Sequence, residues 1–70
     1  MTRLTSPLLG IGDPVRVKKF ELNGTFVREI EIPATVVGLD RMAKAVGVAY
    51  ADGTREMVQV QHMDLLGAQL

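Results

Sequence analysis

Apolar and polar residues alternate along this chain in short runs, the period of two that marks strands, and no segment holds a helical period beyond one or two turns. The clearest unit surrounds Tyr50-Ala51-Asp52-Gly53-Thr54. Upstream, Val46, Val48 and Tyr50 share one face of an extended segment; downstream, Val58 and Val60 do the same, with Gln59 and Gln61 at the alternate positions. Asp-Gly supplies the positive φ angles of a two-residue primed turn, so this region is predicted to be an antiparallel hairpin.

The other strands follow from the same pattern. Gly12-Asp13-Pro14 opens a first strand over 15–22. Val15 and Val17 lie on one face and Phe20 and Leu22 on the other, a parity switch that predicts a bulge or bend at Lys18-Lys19. Asn23-Gly24 signals a second hairpin leading into 25–32, where Phe26, Ile30 and Ile32 align. Pro33 interrupts, because it has no N–H for a ladder. Residues 34–39 are apolar enough for a strand covered on both faces, and 40–44 form its polar exit turn. His62-Met63-Asp64-Leu65-Leu66 abandons the alternation and reads as one helical turn ended by Gly67.

The expected class is all-β. Five short strands and a terminal helical turn match a small SH3-like barrel, with the 15–32 hairpin as its long mobile loop. Closing such a sheet removes the free edges that promote aggregation. Residues 1–10, broken by Pro7 and Gly10, read as an N-terminal arm, and 11–70 as the single domain. Leu4, Leu8 and Leu9 on that arm are either frayed into solvent or docked on a neighbouring subunit.

Composition narrows the means of stabilisation. Seventy residues make one domain that buries about 60% of its unfolded surface, a marginal core. With no cysteine and His62 as the one histidine, disulfides and a thiolate zinc site are excluded. Self-association remains, through strand edges or a face carrying Met57, Gln59, Gln61 and Met63, and a hydrophobic content of 47% leaves apolar surface for it. Eight basic and eight acidic residues cancel, which disfavours a dedicated nucleic-acid binder. No apolar run approaches a membrane span, and the first residues are too weakly apolar for a secretory signal, so a cytoplasmic protein is expected.

At Gly10-Ile11-Gly12-Asp13-Pro14-Val15-Arg16, Val36-Val37-Gly38 and Val58-Gln59-Val60-Gln61, the chain resembles the plasmid-borne type II dihydrofolate reductases. These are SH3-like barrels that assemble as tetramers around a pore binding NADPH and dihydrofolate. The resemblance implies ligand contacts at Val58, Gln59, Val60 and Gln61, where the family reads Val-Gln-Ile-Tyr. Gln61 thus stands in place of a tyrosine. The family's lysine falls at Val17, with Lys18 one residue late.

Three candidate chemistries emerge. Gln59 and Gln61 are either an amide pair for hydrogen-bonding a ligand or the solvent face of an alternating strand. Arg16, Lys18 and Lys19 form the one basic cluster, which serves phosphate or nucleic acid unless Glu29 and Glu31 pair with it across the hairpin. Met42, Met57 and Met63 read as core or interface filler. His62 has no nucleophile at a motif spacing, and no catalytic or metal residue is assigned. The leading expectation is a non-enzymatic, homo-oligomeric binding module without cofactor, such as an accessory protein of a mobile element or phage, with a protein partner and no membrane. A divergent NADPH-dependent reductase is the alternative, and a weak nucleic-acid binder the second.

Overall fold

The computed structural model describes residues 7–70. The described chain is all-β: β1 (Pro14–Asn23), β2 (Phe26–Asp40), β3 (Ala45–Ala49), β4 (Arg55–Gln59) and β5 (Met63–Asp64), with a 3₁₀ turn at Val60–His62 joining the last two. The five strands pair antiparallel, in the spatial order β4-β3-β2-β1-β5, and a parallel bridge joins Leu8 to Gln69. The sheet is not closed by a ladder between its outer strands.

One face of this sheet holds the core. Val15 and Val17 of β1, Ala34 and Val36 of β2, Val46 and Val48 of β3 and Val58 of β4 are buried together with Met63 and Leu9. β-Branched side chains suit this pleated, half-buried surface.

The strand count agrees with the sequence reading, but for different strands. Pro33 does not interrupt anything: β2 is a single strand of 15 residues that replaces the two expected at 25–32 and 34–39. Asn23 pairs with Phe26 at the hairpin end, and hydrogen-bonded pairs alternate from there, so the Arg16–Pro33 pair is one that needs no N–H. On its other side Pro33 lies beyond the Thr35–Ala49 pair that ends the β3 ladder. The fifth strand is the short β5, and the helical turn falls earlier than expected, at 60–62. Nor is 34–39 covered on both faces, since its burial alternates from Ala34 to Val37.

The bulge also moves. The β1–β2 register runs unbroken from Pro14–Thr35 to Asn23–Phe26, so nothing bends at Lys18-Lys19. The register shift lies in β2 between Val36 and Gly38. Phe20 and Leu22 keep their parity and point away from the core.

Both hairpins exist with altered turns. Gly24 and Thr25 form the first loop, with Gly24 at φ +66°. In the second, Tyr50 N–H donates to Thr54 O at 2.8 Å and Gly53 N–H to Tyr50 O at 3.0 Å. Ala51, Asp52 and Gly53 therefore make a three-residue loop with Gly53 alone at positive φ, +91°. The primed two-residue turn is not formed, because Asp52 instead accepts hydrogen bonds from the Thr54 N–H and hydroxyl.

Of the expected arm, residues 1–6, including Leu4, lie outside the described residues. Its last part is docked on its own chain. Leu9 N–H donates to Gln69 O at 2.8 Å, Gln69 N–H to Pro7 O at 2.9 Å, and the Leu9 side chain enters the core. Arg41, in the β2–β3 turn, spans both ends, donating from Nε to Leu70 O and from Nη2 to Leu9 O.

Candidate functional site

The parity of β1 sets the site. Val15, Val17 and Lys19 are successive inward positions, and the core ends at Val17. Lys19 therefore stands at the mouth of the sheet, where the β1–β2 hairpin leaves the body of the molecule. An ammonium at an inward position requires a counter-charge. It is met by Glu56, which shares the inward face of β4 with Val58.

Lys19 Nζ donates to Glu56 Oε2 at 2.7 Å, and the Tyr50 hydroxyl donates to the same oxygen at 2.7 Å. The ammonium also sits 5.6 Å from the Tyr50 ring centroid, within cation–π range. β1 and β4 are not neighbours in the sheet, so this contact spans its mouth. The three groups polarise one another. The hydrogen bond to Glu56 raises the Lys19 pKa, the hydrogen bonds from Lys19 and Tyr50 lower that of Glu56, and partial burial, followed by the Glu56 hydrogen bond, raises that of Tyr50. The half-exposed triad acts as a latch that ties β1 to β4 across this mouth.

A cleft of about 400 Å³ opens beside the latch, between β1 and the end of β4. Lys18, Lys19, Phe20, Met57, Gln59 and His62 line it. Gln61 Nε2 donates to Gln59 Oε1 at 3.2 Å and lies 3.3 Å from His62 Nε2, which ties the polar rim together. A second cleft of about 390 Å³, lined by Ile32, Tyr50 and Asp52 among others, lies on the far side of Lys19. Gln59, with Gln61 bonded to it, offers donors and acceptors, while Met57 offers apolar contact; the set suits binding an extended chain. Among the described residues no three metal-ligating side chains cluster.

The free edge of β1 reinforces this. β5 pairs only with Arg16 and Val17. Residues 17, 19, 21 and 23 exchange hydrogen bonds with β2, so the backbone groups of Phe20 and Leu22 point to the opposite edge, along which no described strand runs.

The four residues of the Val58–Gln61 run do not share a surface. Val58 is in the core, Val60 is half-buried against it, and Gln59 and Gln61 are exposed. The face expected to carry Met57, Gln59, Gln61 and Met63 is not formed, since the chain leaves β4 at Gln59 for the 3₁₀ turn and buries Met63. Met42 and Met57 are exposed. The basic cluster is divided by the pleat: Arg16 and Lys18 lie on the outer face, where Arg16 pairs with Glu31 at 3.6 Å, and Lys19 lies on the inner. The latch itself escaped the sequence reading, although one signal was available: Lys19 has the parity of Val15 and Val17.

No helix is long and apolar enough to cross a membrane among the described residues. Comparison with protein-family models, with curated proteins and with solved structures finds no match to this chain.

Proposed function

We propose that this chain is a non-enzymatic, homo-oligomeric interaction module, an SH3-like barrel left open between β4 and β5, that takes an extended protein segment along the uncovered edge of β1. The curvature that brings Lys19 of β1 onto Glu56 of β4 supports the barrel reading. One observation carries the binding reading: β5 covers two residues of a ten-residue strand, and a cleft with an apolar floor and an amide rim lies beside the remainder. Strand addition to such an edge takes affinity from main-chain hydrogen bonds and specificity from side-chain contacts.

Selection from a displayed peptide library tests this. Enriched peptides are expected to lose about tenfold or more in affinity against Met57→Ala or Gln59→Ala, and to lose binding when N-methylated at alternate residues. Peptides indifferent to all of these changes, or no enrichment at all, would refute the reading. A second reading, the dihydrofolate reductase, is favoured by exposed Gln59 sharing the cleft with Lys18. NADPH oxidation that depends on dihydrofolate and disappears in Gln59→Ala would promote it over the first.

A further inference from the structure

The β1–β2 hairpin projects beyond the core as a ribbon, and every residue from Phe20 to Glu29 is exposed. Its outer face carries Arg16, Lys18, Phe20 and Leu22 on β1, set against Pro33, Glu31, Glu29 and Val27 on β2. Phe20 is 72% exposed, Leu22 78% and Val27 63%, which makes a contiguous apolar tip. Behind the tip, the β1 side is basic and the β2 side acidic.

We infer that this outer face is the self-association surface of the chain, packing against the same face of a second copy. The inference rests on the homo-oligomeric part of the proposed function and names its interface. Charge selects both the occupant and the geometry. The chain has no net charge to repel a copy of itself, and the face carries both signs on opposite strands.

A twofold axis lying in the interface and parallel to the strands places β1 of each copy over β2 of the other. Lys18 then meets Glu31 of the second copy, and Leu22 meets its Val27, twice by symmetry. The other face-to-face twofold, perpendicular to the strands, stacks β1 on β1. It sets Arg16 and Lys18 against Leu22 and Phe20, and so desolvates cations without partners. The core of each molecule lies behind its own ribbon, so the two bodies fall on opposite sides of the interface. Two strands about 4.8 Å apart and nine residues long, at about 3.4 Å per residue, cover on the order of 300 Å² of sheet per copy. That is small for a specific interface, so weak self-association is expected.

Sedimentation equilibrium on the intact chain and its variants tests this, with circular dichroism melting to verify folding. Leu22→Ser removes a solvent-exposed side chain, so the monomer fold should survive while dimerisation weakens roughly a hundredfold. Lys18→Glu and Glu31→Lys should each weaken self-association about tenfold by placing like charges together. Mixed in equal amounts, those two variants should form a heterodimer near wild-type affinity, because every intermolecular pair is then opposite in sign. Wild-type protein that stays monomeric at 100-fold above micromolar concentration overturns this interface together with the oligomeric reading. An oligomer indifferent to Leu22→Ser overturns the interface alone. Failure of the mixture to recover overturns the strand-over-strand geometry, and with it the proposal.

Discussion

Leu9→Ala is the substitution that separates a docked N-terminal segment from a frayed one. The Leu9 side chain is 1% exposed, among the most buried in the chain, whereas its neighbour Leu8 is 67% exposed. Truncating a fully buried leucine costs about 2–5 kcal/mol, through lost transfer energy and the cavity left behind. A 70-residue domain has a total stability of roughly 4–10 kcal/mol, so a cost near 3 kcal/mol is a large share. At about 4–8 °C per kcal/mol for a chain of this size, Tm should fall by roughly 12–24 °C. Urea denaturation and thermal melting followed by circular dichroism measure the two quantities, with Leu8→Ala as the control expected within about 0.5 kcal/mol of wild type. Native-state hydrogen exchange adds a local reading, since the amides of Leu9 and Gln69 are both bonded across the contact. A Leu9→Ala protein as stable as Leu8→Ala would show that the segment does not contribute to the core, and the account of the buried cluster would fail at that residue.

Other consequences can be measured in the same way. Gly53→Val puts a β-branched residue at φ +91° and should cost about 1 kcal/mol or more; an unchanged urea midpoint would refute the loop geometry. Pro33→Ala should shift stability by less than about 1 kcal/mol, because the ladder asks for no N–H there, and a larger gain would mean that a bond had been missing. The latch gives stability a pH window. The lowered Glu56 pKa contributes above the ordinary carboxylate value of 4.5 and is lost as pH falls through the lowered value; the raised Lys19 and Tyr50 pKa values contribute below 10 and are lost as pH rises through the raised ones. Because all three groups are partly solvated the amplitude is small, about 0.5–1 kcal/mol, and Glu56→Gln should remove the acid flank and weaken the alkaline one, where burial of Tyr50 persists; a wild-type acid flank retained in that variant would refute the latch.

The sequence shows its hairpins because turn chemistry is local: Asn23-Gly24 and Asp52-Gly53 each mark a reversal within one residue of where it occurs. The turn type was less legible, since Asp52 had to choose between positive φ and capping Thr54, and the latter won. Pro33 was misread for a related reason. A proline forbids a hydrogen bond only where the ladder wants one, and that depends on the register set ten residues away by the Asn23–Phe26 pair. Leu9 carried no periodic signal, being one residue inserted from outside the sheet. The Lys19–Glu56 contact joins residues 37 positions apart on strands that are not neighbours, and no local pattern encodes such a pairing. Parity alone pointed to it, as a charge at a position where the pattern asked for a valine. The cleft followed from the brevity of β5, which the sequence had presented as helix.

The bonding of Pro7 and Leu9 to Gln69 brings residues near the two ends of the described chain side by side. Connectivity and architecture are thereby separable. A short linker from residue 70 back to residue 7 would span little distance, and new ends opened at Gly24-Thr25 would fall on an exposed loop tip, where rearranged connectivity is best tolerated. Such a circular permutant would keep every strand pairing of the body while freeing the two halves of the ribbon from their covalent turn. It would turn the hairpin into two independent strands, and so offers a scaffold in which the order of assembly can be altered without changing the residues that form the core.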